Sequence, residues 1–169
     1  LASVASGQWL ETTIDLPDSM NNLSNPQYLE YNTANNYVYV SGSSDATVVV
    51  IDGTSNQKSA WIGLSSVTKA FCYNSTGNKV YCAIYFMDSV AVVDGATNQI
   101  VTKVPTGDGP LVLVYSSSSD KVYSANYGSD VTVIDGATNK VLSSISVGLG
   151  PHALCCNPTD NKVYCACQG

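Results

Sequence analysis

Arginine is absent from this chain of 169 residues: its seven basic side chains are all lysines, set against 13 acidic ones for a formal net charge of −6. Recognition of phosphate and nucleic acid draws on a basic footprint and on the bidentate guanidinium fork, so no nucleic-acid partner is expected. Histidine occurs once, at His152, and one imidazole cannot supply a catalytic His pair or a His-based metal site. The longest apolar runs, such as Val48 to Ile51 and Leu111 to Tyr115, fall far below the roughly 20 residues that span a bilayer, so no membrane span is expected. No G-x-S-x-G elbow, Walker or dinucleotide glycine motif, or C-x-x-C-H haem signal occurs. Ser3, Ser6 and the run Ser116 to Ser119 have no nearby His or Lys suited to activating a hydroxyl. A chain without these features points away from catalysis and from bound cofactors.

Charge is scarce as well, and Ser, Asn and Thr dominate the polar residues, which suits an exported surface: secreted, periplasmic or on the cell surface. No charged-then-apolar leader opens the sequence, so any signal peptide has been removed or lies outside it. Two N-x-S/T sequons, at Asn22 and Asn74, fall in segments that read as loops and are candidate glycosylation sites.

Sliding the chain over itself gives a match at 41 to 42 residues. Asn78-Lys79-Val80-Tyr81, Asp120-Lys121-Val122-Tyr123 and Asn161-Lys162-Val163-Tyr164 superpose, with Asn36-Tyr37-Val38-Tyr39 as an earlier copy. Ile51-Asp52-Gly53, Val93-Asp94-Gly95 and Ile134-Asp135-Gly136 share that register, and so do Pro26, Pro110 and Pro151, with Thr68 in the second copy. A period near 40 marks an array of supersecondary units. Each copy alternates short β-branched or aromatic runs with turns that use Gly for positive φ and Asn or Asp for capping, and no stretch holds a 3.6-residue period. Four short antiparallel strands per copy describe a propeller blade; a β-solenoid with two coils per repeat is the rival, disfavoured by the tight hairpin turns.

The blades resemble those of the YVTN family of β-propellers, through Val38-Tyr39-Val40, Val131-Thr132-Val133-Ile134-Asp135 and the turn Gly148-Leu149-Gly150-Pro151. The copies depart from that pattern in an extra loop around Ser19 to Ser24 and in Ser66-Val67-Thr68, which replaces the Gly-Pro turn. The resemblance implies the fold and little about function, because the same blades occur in surface-layer proteins, periplasmic proteins and enzyme subunits.

The expected architecture is all-β: a single propeller domain over 1–169, with four-stranded units at about 26–67, 68–109 and 110–150, and a last blade of 151–169 completed by 1–25. Ala2 to Ser6 and Trp9 to Ile14 match the third and fourth strands that the last copy lacks, so the termini would share a blade and remove an exposed edge. Four blades make a small ring. A closed ring of four, a half-ring paired with a second copy, and a segment of a longer propeller all remain open.

With the first hairpin of the second copy centred near Gly77, Cys72 faces Cys82, and the same register puts Cys155 opposite Cys165, both within disulfide reach. Two cross-strand disulfides are therefore expected, against the alternative of buried free thiols. Cys156 and Cys167 have no clear partner, and adjacent Cys155 and Cys156 point to opposite faces of a strand, which works against a metal cage.

If the first strand of each blade lines the channel, the residues after the landmark prolines sit near one mouth. These are Gln27, Lys69, Leu111 and His152; Gln27, Lys69 and His152 form a candidate ligand site for an anion or small polar molecule. Tyr31, Tyr73 and Tyr115 align with Cys156 as a ring of blade packing. Asp52, Asp94 and Asp135 read as turn caps, because one carboxylate per blade falls short of calcium's needs. The expected function is a non-catalytic extracellular or cell-envelope scaffold that binds another protein or copies of itself. Two alternatives stand beside it: a piece of a periplasmic propeller enzyme of lyase or redox type, and a small-ligand or glycan binder at the channel mouth.

Overall fold

The computed structural model describes Ile14, Leu23 and residues 25–169. They form 14 strands: β1 (Pro26–Asn32), β2 (Tyr37–Gly42), β3 (Thr47–Asp52), β4 (Gln57–Gly63), β5 (Thr68–Asn74), β6 (Lys79–Ile84), β7 (Ser89–Asp94), β8 (Ile100–Pro105), β9 (Pro110–Ser116), β10 (Lys121–Asn126), β11 (Asp130–Asp135), β12 (Val141–Ser146), β13 (Ala153–Asn157) and β14 (Lys162–Ala166). A single 3-10 turn, Tyr85–Met87, interrupts the link between β6 and β7.

The strands pair in chain order as antiparallel meanders, β1 to β4, β5 to β8 and β9 to β12, followed by the pair β13–β14. Antiparallel pairing throughout excludes the solenoid, whose coils stack in parallel. The first strands neighbour one another, β1 beside β5, β5 beside β9 and β9 beside β13, so the sheets stand as propeller blades around an axis lined by these four strands.

The core lies between blades. Tyr39, Val48, Val50 and Ile62 of the first blade meet Phe71, Val80, Cys82, Ala91 and Val93 of the second. The second blade's other face, with Cys72, Tyr81, Val90, Val92 and Val104, meets Leu113, Val122 and Ile134 of the third. A strand covered on both faces needs no polar alternation, which is why β3 and β7 read as unbroken Val-rich runs. Each such Val or Ile contributes on the order of 1.5–3 kcal/mol on burial. Ile14 and Leu23 pack on the first blade's remaining face, against Val40, Val49 and Ile51. The third blade's far face has only β13 and β14 beside it among the described residues, and β12 is exposed along its whole length.

Of the strands expected over Ala2 to Ser6 and Trp9 to Ile14, only Ile14 is described. The remainder lies outside the described residues, as do Ser3, Ser6, the Ser19 to Ser24 loop except for Leu23, and the sequon residue Asn22.

Two expectations are corrected by backbone geometry. The glycines of the Asp-Gly turns, Gly53, Gly95 and Gly136, do not take up positive φ; that conformation falls to Asn56, Asn98 and Asn139 in the same turns, and to Asn36, Asn78, Asp120 and Asn161 in the first hairpins. Glycine is required there for space instead: a Cβ on Gly95 would collide with the side chains of Asn78 and Asn32, and one on Gly136 with Asp120 and Asn74. The second correction is the hairpin register. Asn74 pairs with Lys79, leaving four turn residues that end in left-handed Asn78, so Cys72 lies opposite Tyr81 and Cys82 opposite Phe71. Likewise Cys155 faces Tyr164, and Cys165 faces Leu154. A slip of one residue moves a side chain to the other face of the sheet. Cys72 therefore points to the third blade and Cys82 to the first, the proposed Cys72–Cys82 and Cys155–Cys165 disulfides are not formed, and all six cysteines are free thiols.

Candidate functional site

The second residues of β1, β5 and β9 are Gln27, Lys69 and Leu111, and the radial arrangement of the first strands brings all three to one cleft of about 390 Å³. Leu29, Phe71 and Leu113, two residues further along each strand, line the cleft as well; Gln27, Lys69 and Leu111 are each the extra residue of a bulge in the pairing with the next strand. Lys69 is its single charged group. His152 precedes β13 and does not line the cleft; it is exposed, with Nδ1 3.1 Å from the carbonyl oxygen of Gly150. The expected grouping of Gln27 and Lys69 with His152 therefore holds for the first two only.

One titratable neighbour escaped the sequence reading. Glu30 sits on the opposite face of β1 from Leu29, where desolvation raises its carboxyl above the ordinary range, partly offset by the Tyr73 backbone N–H. A glutamate inside Tyr-Leu-Glu-Tyr, in a chain with only Glu11 besides, is the signal that could have found it.

At the other end of these strands, repeated polar contacts tie the inner hairpins together. Tyr31 donates its hydroxyl to Asn36 Oδ1 at 2.9 Å, Tyr73 to Asn78 Oδ1 at 3.3 Å and Tyr115 to Asp120 Oδ1 at 3.0 Å, each bracing the left-handed turn residue five positions on. Between blades, Asn32 Nδ2 donates to Asn78 Oδ1 and Asn74 Nδ2 to Asp120 Oδ1, both at 3.0 Å. Asn74 is fully buried and its Oδ1 also accepts from the Gly77 N–H, so the glycosylation site expected at Asn74 is overturned: its amide nitrogen is turned inward and engaged. Tyr39 and Tyr81 are buried one strand further out and donate to Asn98 Oδ1 and Asn139 Oδ1 of the following blade. Burial pushes the Tyr39 phenol up to about 12.

Asp52 and Asp94 accept backbone N–H bonds from the residues that follow them, and Asp135 accepts first the Thr138 hydroxyl and then the Thr138 N–H, which lowers all three carboxyls below their usual value. Burial drives the Cys72 and Cys82 thiols well up, so both are held as neutral thiols. Cys165 Sγ lies 3.9 Å from Cys167 Sγ, and Cys155 is exposed. Among the described residues no three His, Cys, Asp or Glu side chains gather as a metal site.

The model of the YNCE-like β-propeller matches residues 22–159. A comparison with curated proteins finds no match. Among solved structures, the chain is similar to Kuenenia stuttgartiensis hydrazine synthase, with a TM-score of 0.77, 21% identity, and coverage of 94% of this chain and 45% of that one. It is also similar to the RRP9 WD40 repeats, with a TM-score of 0.70, 15% identity and coverage of 77% and 41%. The structure of U3-55K gives a TM-score of 0.70 at 15% identity, covering 77% and 42%. The chain thus spans less than half the length of the structures it matches, and at these identities the likeness concerns the fold.

Proposed function

This chain belongs to the YNCE-like β-propeller family, and from that premise we propose that it is a non-catalytic, exported scaffold, built of YVTN-type blades, that binds a protein or a second copy of itself at the channel mouth. The observation that carries the reading is the cleft over β1, β5 and β9: an open, mainly apolar surface with one lysine, in which Leu29 is 63% exposed. Exposed apolar side chains on packed strands suit a macromolecular contact, and the hydrogen bonds that join neighbouring blades at the other end of these strands limit the ordering cost of binding. The Ser- and Asn-rich, arginine-free composition supports an exported setting.

Gln27 and Lys69 in the same cleft also favour a second reading, a small polar ligand or glycan. The test is photo-crosslinking from position 29 combined with native mass by light scattering. A discrete cross-link to another protein or to a second copy, lost in Lys69→Glu, supports the scaffold. A chain that stays monomeric without a cross-link, yet binds a sugar or small anion until Lys69→Ala removes it, selects the second reading. The enzyme-subunit reading makes a separate claim, that purified protein carries a stoichiometric transition metal measurable by elemental analysis.

A further inference from the structure

Phe86, Met87 and Tyr127 are 71%, 52% and 56% exposed, and all lie where one turn meets another. Phe86 and Met87 belong to the link between β6 and β7, and Tyr127 to the link between β10 and β11. The fold does not require aromatic side chains there: the equivalent link of the first blade is Ser43-Ser44-Asp45-Ala46. Tyr85, Phe86 and Tyr127 instead line a cavity of about 450 Å³ with Asp88, Asp108 and Gly109. Exposing such rings to water on a turn is unfavourable unless something covers them.

The geometry of the cavity narrows what that is. The Tyr85 and Phe86 rings meet edge to face, with centroids 4.9 Å apart and planes at 82°, and so form a corner instead of a flat platform. Flat sugar rings stack on platforms, whereas a compact cation fits a corner that offers a π face together with negative charge. Asp88 and Asp108 supply the charge, and no cationic side chain lines the cavity. The walls are tied in place by backbone: the Gly109 N–H donates to Asp88 Oδ1 at 2.9 Å, the Tyr127 N–H to the Gly109 carbonyl at 2.9 Å, and the Gly128 N–H to the Asp108 carbonyl at 3.0 Å. Gly109 adopts a φ of +62°, and any Cβ there would press into the Tyr85 ring, so glycine is what lets the aromatic walls close together.

We propose that Tyr85, Phe86 and Tyr127, with Asp88 and Asp108, form a binding site for an organic ammonium group, either a free quaternary ammonium ion such as choline or a methylated lysine side chain. Recognition is by cation–π contact and Coulomb attraction, with no covalent step. The site shares no residue with the cleft over the first strands, so it stands or falls independently of the scaffold reading.

The experiment titrates the full chain with choline, with its uncharged isostere 3,3-dimethylbutan-1-ol, and with a short peptide carrying trimethyllysine, followed by calorimetry or by NMR of Tyr85, Phe86 and Tyr127. Choline is expected to bind at least about tenfold more tightly than the isostere. Phe86→Ala and Tyr127→Ala should each weaken it by a similar factor, and Asp108→Asn should weaken it and reduce its salt dependence; all three side chains are exposed, so unchanged thermal unfolding certifies the fold. Tighter binding of the peptide than of choline identifies a lysine-bearing chain as the source, and the reverse identifies a free quaternary ammonium ion. Equal binding of choline and isostere, or choline binding unaffected by Phe86→Ala and Asp108→Asn, overturns the proposal.

Discussion

Thr68 shows how much a single side chain can deviate from the repeat. It stands where the other copies place Pro26, Pro110 and Pro151, and its Oγ1 is the one buried side-chain polar atom without a hydrogen-bond partner among the described residues. A hydroxyl desolvated without compensation is unfavourable, so Thr68→Val should raise stability by about 1 kcal/mol, read as an increase in the urea midpoint with an unchanged slope. The cysteines make the opposite point, that residue type alone does not fix chemistry. Cys155 is exposed while Cys72 and Cys82 are buried with raised thiols. Under native conditions a maleimide should label Cys155 readily and leave Cys72 and Cys82 unlabelled until denaturant is added, as intact mass and peptide mapping will show. Recovery of a Cys72–Cys82 peptide disulfide would contradict the register.

At the scale of elements, each of the three described third-to-fourth-strand turns is closed by an aspartate acidified by hydrogen bonds from the residues after it, backbone N–H groups foremost for Asp52 and Asp94 and the Thr138 hydroxyl foremost for Asp135. Because the folded value of these carboxyls lies below the ordinary value of 3.8, their stabilisation is complete above that pH and is lost as pH falls through the lowered folded value. The melting temperature should therefore drop more steeply between about pH 4 and pH 2 for the native chain than for an Asp52→Asn, Asp94→Asn, Asp135→Asn variant, the two curves converging at the acid end. Hairpin register is the element-scale property that the sequence concealed. The strands and their turns were plain from β-branched runs and Asn, Asp and Gly clusters, but a loop of four residues and one of five are equally compatible with Asn74 to Lys79. Asn78 in the left-handed region decides between them, and the pleat turns that one-residue difference into opposite faces for Cys72 and Cys82.

Across the whole molecule, blades are joined by packing and by a few long polar reaches. Lys79 Nζ donates to the carbonyls of Gly136 and Ala137, at 2.7 and 3.0 Å, and to Asn139 Oδ1 at 3.0 Å, fastening the second blade to an outer turn of the third. Lys79→Met should cost about 1–2 kcal/mol in urea unfolding. The repeat, the all-β class and the placement of Gln27, Lys69 and Leu111 at one mouth were legible in the sequence, since they follow from periodicity and from strand order, which are local and additive. The aromatic corner of Tyr85, Phe86 and Tyr127 was not, though Tyr-Phe-Met in a turn that is Ser-Ser-Asp in the first copy was its available signal. The sequence alone determined where strands begin and turn and how often the pattern recurs, because β propensity and turn chemistry act over a handful of neighbouring residues. Only the tertiary structure decided which face each cysteine occupies, that Asn74 is buried, and that His152 does not line the cleft that holds Lys69. Those outcomes depend on pairing register and on contacts between residues more than 40 positions apart, such as Asn74 with Asp120, which no local pattern specifies.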